Sequence, residues 1–220
     1  MAKIAVISSS LGGFDTQPEH AKQSVKADYF YFTDQNFPLR DRALTPRLQA
    51  KIPKMFGWQM KPGYGYYLWL DGNIAFNHPD ALRYFYEQIQ GYDIVVLRHH
   101  RRKTVKWEAR YLERGLNEQS KFLVAKYENE FLREQMEEIQ ADKDFIDDLM
   151  VIGGVFMYQN TEQVRRMLKE WWYHVSRYII QDQISFAYVL KKSDLKIKIL
   201  EHDYTQWNYL KRERHKKRYV

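Results

Sequence analysis

The sequence contains no cysteine and no long uninterrupted run of hydrophobic residues. Without cysteine, disulfide bonds and thiolate metal sites are both excluded. The apolar run at residues 4–7 gives way to Ser8, Ser9 and Ser10, so it is too short for the core of a signal peptide. No segment approaches the length that is needed to cross a bilayer. We therefore expect a soluble, cytoplasmic protein without a transmembrane segment.

The motifs of several nucleotide- and nucleic-acid-binding classes are also missing. The stretch SSSLGGFD, residues 8–15, contains two glycines but lacks the Gly-Lys-Ser/Thr ending of a Walker-type phosphate-binding loop. No motif of a helix-turn-helix or RNA-recognition module is visible. These absences argue against a P-loop NTPase and against a small nucleic-acid-binding module.

The composition is that of one globular domain with a basic surface. A chain of 220 residues, 45% hydrophobic and 16% aromatic, can bury one substantial core. Its net charge of +7 favours anionic partners such as nucleotide phosphates, nucleic acid or an acidic membrane face. Basic residues cluster at 98–106 and at 211–218. We assign the second cluster to a C-terminal tail, residues 209–220, and the first to a loop that either binds a ligand or is simply exposed to water.

Strand-like and helical segments alternate along residues 1–208. The strand-like runs are 3–8, 28–33, 66–70, 92–97, 151–158 and 195–200. Most are short, continuous and β-branched or aromatic, which is typical of strands that are covered on both faces. Helices are predicted at 80–90, 118–140, 162–175 and 182–192 from apolar spacing and capping residues. The alternation predicts one α/β domain with a mostly parallel, mixed sheet flanked by helices.

The third strand-like run ends on an unusual tripeptide in YYLWLDGNIAF, residues 66–76. Ligands bind at the carboxyl ends of strands in open α/β sheets, and Asp71-Gly72-Asn73 lies at such an end. Asp71 and Asn73 can present two oxygen ligands to a hard divalent cation such as Mg²⁺ or Mn²⁺. A simple turn is the alternative, because all three residue types are favoured in turns.

This strand end resembles the metal-binding motif of GT-A fold glycosyltransferases, which is Asp-x-Asp or a close variant. The order of further segments is also similar, namely YFTD at 31–34, RLQAKIPKMF at 47–56, WEA at 107–109, Gly153-Gly154, DQISF at 182–186 and a late His202. Over residues 3–207, the sequence most resembles the glycosyltransferase-like domain of plant mucilage- and tapetum-related proteins and their bacterial relatives. It is more loosely similar to glycosyltransferase family 8.

The resemblance implies a single GT-A, Rossmann-like domain that transfers a sugar. The donor would be a nucleotide-sugar, with a UDP-sugar expected, and the acceptor would be a saccharide or another hydroxyl compound. Mn²⁺ or Mg²⁺ would be held by Asp71, Asn73 and His202. Asn73 departs from the motif, because an amide oxygen can coordinate a metal but brings no negative charge. The resemblance thus leaves open a weaker metal site or a metal-independent enzyme.

The same resemblance implies a donor site built from several strand ends. Its candidate residues are Ser8, Ser9, Thr33, Asp34, Lys51, Lys54, Asp71, Gly153 and Gly154. The lysines would add positive charge near the donor phosphates, and the glycines would let the backbone approach the sugar closely. Turn chemistry, solvated lysines and a bulge in a packed strand are the structural alternatives.

Two carboxylates are candidates for catalysis, Asp182 and Glu108. An inverting transferase needs a group that accepts the proton of the acceptor hydroxyl, and a carboxylate can do this. Asp182 also begins a predicted helix, where capping the backbone amides is the alternative role. Arg98, His99 and Gln183 are the candidates for contacts with the acceptor or with phosphate. The sequence does not distinguish a retaining from an inverting reaction.

Two other functions stay open from the sequence. One is an enzyme of the same fold that glycosylates modified bases of DNA, as phage enzymes do, with the basic segments binding the DNA phosphates. The other is a nucleotide- or nucleic-acid-binding protein without catalysis. The second alternative predicts that binding is unchanged when Asp71 is replaced by alanine. The oligomeric state is not predicted.

Overall fold

The computed structural model describes residues 3–40 and 42–215. In these ranges, six strands form a central sheet in the order β2-β1-β3-β6-β5-β7. They are β1 (Ile4–Ser9), β2 (Asp28–Phe32), β3 (Tyr66–Leu70), β5 (Ile94–Arg98), β6 (Val151–Gln159) and β7 (Ile197–Leu200). Strand β6 pairs antiparallel with β3 and β5, while the other neighbours pair in parallel. The predicted α/β class with a mostly parallel, mixed sheet is confirmed.

Helices cover both faces of this sheet. They are α1 (Pro46–Gln49), α2 (Lys51–Met60), α3 (Ala81–Gln88), α4 (Val105–Asn117), α5 (Lys121–Tyr127), α6 (Leu132–Ala141), α7 (Glu162–Arg177) and α8 (Asp182–Lys192). Along β1, Ala5 and Ile7 pack into one core, whereas Ile4 and Val6 pack into another. This alternation places a hydrophobic core on each face, as the continuous apolar strands predicted. Of the helices in the described ranges, none is both long enough and apolar enough to span a bilayer.

Local sequence signals predicted most elements closely. Strand β3 and helix α8 have the predicted bounds, and the other central strands differ by at most two residues at either end. Thr161 caps α7 as its position indicated, because its side chain accepts a hydrogen bond from the backbone amide of Val164. These elements are the ones in which apolar pattern, capping residue and length agree.

The predicted long helix over 118–140 is wrong. The chain instead forms α5 and α6, separated by a turn in which Asn129 has a φ of 64°. A residue in this left-handed region cannot continue a right-handed helix. Phe122 belongs to the apolar spacing that suggested one helix, yet its side chain is exposed. Helix α4 was not predicted, because its basic beginning was taken for a loop.

A small second sheet brings the C-terminal segment back to the domain. Strand β8 (Leu210–Arg212) pairs antiparallel with β4 (Ile74–Phe76), which follows Asp71-Gly72-Asn73. The predicted basic tail began at residue 209, so β8 shows that its first residues are folded onto the domain. Residues 216–220 of that tail lie outside the described residues.

The glycine between Asp71 and Asn73 has a packing role. A Cβ atom on Gly72 would lie 2.4 Å from the carbonyl oxygen of Ser9, at the end of the neighbouring strand β1. Real Cβ atoms do not approach a backbone oxygen so closely, and the pairing of Ser9 with Phe32 of β2 limits how far this backbone can shift. Gly72 therefore allows the turn after β3 to pack directly against the end of β1.

We expect Gly72→Ala to lower the free energy of unfolding by about 2 kcal/mol, because the added methyl group overpacks a rigid backbone contact. Urea unfolding measures the effect. The control is Gly57→Ala in α2, where the Cβ would meet a side-chain carbon of Ile7 at 3.2 Å and alanine adds helix propensity. An equal loss in both variants would contradict the role of Gly72.

Candidate functional site

A cavity opens where β1 and β3 end. Parallel strands place their carboxyl ends at one edge of the sheet, and this is the edge at which open α/β sheets bind ligands. The polar and charged residues that line the cavity are Ser9, Ser10, Asp15, Arg47, Lys51, Asp71, Asn73, Lys126, Tyr127, Gln181, Asp182, Gln183, Tyr204, Arg212 and His215. Of the predicted site residues, Ser9, Lys51, Asp71, Asn73, Gly154, Asp182 and Gln183 are brought together here.

A buried ion network forms the floor of this site. Nζ of Lys51 and Nζ of Lys54 lie 2.6 Å and 2.5 Å from the same oxygen, Oδ2 of Asp182. The Lys54 side chain is fully buried, and its Nζ also lies 3.4 Å from Oδ1 of Asp71. The indole rings of Trp69 and Trp171 flank this ammonium group at 5.4 Å and 5.3 Å. The alternative of a solvated lysine is therefore wrong for Lys54.

Asp182 is held in its charged form. Burial alone would raise the pKa of its carboxyl group, but Lys51 and Lys54 outweigh burial and hold that pKa well below the usual range. A carboxylate bound by two ammonium groups is a weak proton acceptor, so this geometry does not suit the predicted role as a base. The helix-cap alternative is also wrong, because the side chain of Gln181 caps α8.

The two glycines of β6 make space for the carboxylates. A Cβ on Gly153 would lie 2.9 Å from Oδ1 of Asp182, and one on Gly154 would lie 3.1 Å from Oδ2 of Asp71. The pairing of β5 with β6 also changes register at this point, as a bulge would require, since Val96 pairs with Phe156 and Leu97 with Ile152. The close approach that these glycines permit is to Asp71 and Asp182.

Asp71 connects the buried network to the cavity. Its Oδ1 accepts a hydrogen bond from Nε1 of Trp69 at 2.8 Å and contacts Lys54, whereas its side chain is 43% exposed. The carboxylate is thus fixed on one side and accessible on the other. This arrangement suits a group that contacts a ligand without changing its own position.

Asn73 has a role that aspartate could not fill. Its side-chain Nδ2 donates a hydrogen bond to the backbone carbonyl oxygen of Glu213 at 2.9 Å, and its backbone carbonyl oxygen accepts one from the Glu213 backbone amide at 2.8 Å. A carboxylate has no hydrogen to donate at that position. The amide therefore anchors the C-terminal segment, which carries Arg212 and His215 into the wall of the cavity.

The predicted metal ligands differ in where they lie. His202 is outside the set of described residues that line the cavity, because its Nε2 is 2.9 Å from the Tyr84 hydroxyl and its ring stacks on Trp207. Across residues 3–40 and 42–215, no group of three or more histidine, aspartate or glutamate side chains is arranged to hold a metal ion. The exposed carboxylate of Asp71 fits an ion that is bound through one carboxylate and substrate phosphates, as Mg²⁺ commonly is.

Cations from three separate segments surround the entrance. Arg47 donates a hydrogen bond to the carbonyl oxygen of Lys126 at 2.6 Å, and Arg212 comes from β8. Burial, and then the charges of Arg47, Lys51 and Arg212, lower the pKa of Lys126 to about 8. The positive charges repel one another, and an anion bound between them would relieve this repulsion. Sequence reasoning missed all three, because Lys126 lay in a predicted helix and Arg212 in a predicted tail.

Other predicted residues support the fold around the cavity. Ser8 is buried in β1, Thr33 accepts a hydrogen bond from the Gln35 amide, and Asp34 accepts one from Gly12. Arg98 pairs with Glu201 at 2.8 Å. None of these four predicted site residues is among the described residues that line the cavity.

Glu108 and His99 belong to a buried cluster beside the cavity. Glu108 pairs with Arg102 and accepts a hydrogen bond from Nε2 of Gln181 at 2.7 Å, so it orients a residue of the cavity wall. Nδ1 of His99 accepts hydrogen bonds from the Arg101 and Arg102 amides. Burial, followed by the charge of Arg102, lowers the pKa of His99 to about 4, which keeps its ring neutral near pH 7.

Comparison with known proteins agrees with the geometry. The family model described as "TOD1/MUCI70, glycosyltransferase-like domain" matches residues 35–215. A search of the curated proteins found no significant match. The matched range contains Arg47, Lys54, Asp71, Asp182 and Arg212, and thus both the buried network and the cations at the entrance.

We expect Asp182→Asn to lower the free energy of unfolding at pH 7 by about 3 kcal/mol, because it removes the closer of the two carboxylates that contact the buried Lys54 ammonium. The carboxylate of the wild type stabilises the fold above the pKa of an unfolded aspartate, about 3.9, and this contribution is lost as the pH falls towards the depressed pKa. The difference between the two proteins should therefore shrink below about pH 4.

Urea unfolding at pH 7, 5 and 3 tests this expectation. The matched control is Asp71→Asn, whose carboxylate is 43% exposed and 3.4 Å from Lys54, so its effect should be smaller. A loss for Asp182→Asn that is the same at all three pH values would show that the ion pairs do not stabilise the fold.

Proposed function

Because the chain belongs to the family of TOD1/MUCI70 glycosyltransferase-like domains, we propose that it transfers a sugar from a nucleotide-sugar donor, with UDP as the nucleotide, to a hydroxyl acceptor. The reaction takes place in the cavity at the ends of β1 and β3. The observation that carries the proposal is the group of cations around Asp71, which has the charge that a diphosphate requires.

The cations give the diphosphate its site. Arg47, Lys126 and Arg212 come from different segments and meet at the cavity, where guanidinium and ammonium groups bind phosphate oxygens with charge-assisted hydrogen bonds. When the bond between sugar and phosphate breaks, negative charge grows on the leaving nucleoside diphosphate. Cations that are already in place stabilise this charge without having to reorganise.

Asp71 is the residue that would hold a divalent metal in this site. Its carboxylate, which is 43% exposed, would supply one oxygen ligand beside the donor phosphates, and oxygen is the ligand that Mn²⁺ and Mg²⁺ prefer. The bound ion would act as a Lewis acid on the departing diphosphate. Lys54 and Trp69 fix the orientation of the carboxylate from the other side.

We expect UDP to bind to the wild-type protein both with Mn²⁺ and with EDTA, and more tightly with Mn²⁺, in calorimetric titrations. Asp71→Ala should remove the difference between the two conditions, because it removes the carboxylate of the metal site. Arg212→Ala should weaken UDP binding about tenfold in both conditions, since it removes a charge-assisted contact with the diphosphate.

The charge-matched control is Arg83→Ala, on α3 and outside the residues that line the cavity, where Arg83 pairs with Asp80 at 3.6 Å. UDP affinity should be the same in this variant as in the wild type. The proposal is overturned if neither UDP, GDP nor other nucleoside diphosphates bind. Duplex DNA that binds equally to the wild type and to Asp71→Ala would then identify the alternative, a nucleic-acid-binding protein without catalysis.

UDP affinity should also depend on pH through Lys126. Since the pKa of this lysine is lowered to about 8, its ammonium group is present at pH 7 and is lost as the pH rises to 9. A bound diphosphate prefers the charged form, so affinity should fall across this range. Lys126→Arg keeps its charge and should reduce the fall. Identical pH profiles for the two proteins would show that Lys126 does not contact the diphosphate.

A further inference from the structure

A histidine and an aspartate pair in the wall of the cavity. Nδ1 of His215 lies 2.6 Å from Oδ1 of Asp15, although the two residues are 200 positions apart in the sequence. Both line the cavity that contains Asp71, and Asp15 is the less exposed of the two, at 11% against 33% for His215. Neither residue was singled out by the sequence patterns.

The pair has a defined hydrogen-bond direction. An ionised carboxylate only accepts hydrogen bonds, so the hydrogen of the neutral imidazole lies on Nδ1 and points to Asp15. The other ring nitrogen, Nε2, then carries the lone pair that can accept a proton. The carboxylate also stabilises the imidazolium ion that forms when Nε2 is protonated.

Contacts from two other segments hold this pair in place. The backbone amide of Asp15 donates a hydrogen bond to Oγ of Ser10 at 2.9 Å, which fixes the loop that follows β1. On the His215 side of the pair, Asn73 binds Glu213 through both its side-chain Nδ2 and its backbone carbonyl oxygen. Since Glu213 is two residues before His215, this contact positions the histidine over the strand end that carries Asp71.

The carboxylates that the sequence suggested are less suited to accept a proton. Asp182 is bound by two ammonium groups, and Glu108 is buried against Arg102 and Gln181. Among the described residues that line the cavity, His215 contributes the one imidazole. A neutral imidazole whose hydrogen is held on one ring nitrogen can accept a proton on the other, which is what a general base requires.

We propose that His215, oriented by Asp15, is the general base that activates the acceptor hydroxyl; this inference rests on the proposed glycosyltransferase function. Nε2 takes the hydroxyl proton while the hydroxyl oxygen forms a bond to the anomeric carbon of the donor sugar. The bond between that carbon and the phosphate oxygen breaks, and its electron pair leaves with the nucleoside diphosphate. The imidazolium ion then gives its proton to water.

The test uses hydrolysis of a UDP-sugar by the full-length protein, with water as the acceptor. His215→Ala should lower kcat about 100-fold or more, the usual contribution of a general base, with little change in the KM for the donor. Added imidazole should restore part of the rate to His215→Ala but not increase that of the wild type. A variant that has merely lost structure would not be rescued in this way.

The orienting role of Asp15 has its own readout. Nitrogen NMR of the wild type should show the neutral His215 ring with its hydrogen on Nδ1, and Asp15→Asn should change this tautomer preference. The double variant Asp15→Asn with His215→Ala should be no slower than His215→Ala alone, because the two residues act as one unit.

The outcomes separate this inference from the proposed function. If UDP binds and the donor is hydrolysed equally fast by wild type and His215→Ala, the general base is elsewhere although the transferase assignment stands. If imidazole gives no rescue, or the hydrogen of the neutral ring lies on Nε2, the proposed pair is also wrong. If no nucleoside diphosphate binds and no nucleotide-sugar is hydrolysed, the proposed function is wrong, and the assignment of His215 as its general base is then wrong as well.

Discussion

The double ion pair of Asp182 is the interaction on which the rest of the site depends. A buried charge without a partner is costly, so the folded state is stable only if Lys54 and Asp182 lie in contact. This requirement fixes the start of α8 against α2, and the contact of Lys54 with Asp71 extends it to the end of β3. Gly153 completes the arrangement, because any side chain there would collide with the carboxylate.

The buried network is not the source of the positive charge in the cavity. Lys51 and Lys54 face Asp71 and Asp182, so two positive and two negative charges largely neutralise one another. The positive charge for the proposed diphosphate comes instead from Arg47, Lys126 and Arg212. Burial, followed by the charges of Arg47, Lys51 and Arg212, lowers the pKa of Lys126. The network thus supplies a rigid floor, and the other cations supply the charge that the proposed diphosphate requires.

The sequence predicted what depends on local pattern. The end of β3 at Asp71, the glycines of β6 and the beginning of α8 were visible as short motifs. The sheet rule placed Asp71 at the ligand-binding edge, and the family resemblance added the other two. The break between α5 and α6 was not visible, because the positive φ of Asn129 overrides an apolar spacing that continues across it. Helix α4 was missed because the basic residues before and at its beginning made the segment look like an exposed loop.

The site residues that the sequence did not predict depend on contacts over long distances. Asn73 looked like a weakened metal ligand, because a local motif compares each residue only with its neighbours. In the structure its Nδ2 also donates a hydrogen bond to Glu213, 140 residues later, and that contact helps to place Arg212 and His215. The departure from Asp-x-Asp and the position of the basic C-terminal segment are therefore linked. An asparagine at this strand end carries no negative charge, but its amide donates the hydrogen bond that holds Glu213, between Arg212 and His215 of the cavity wall.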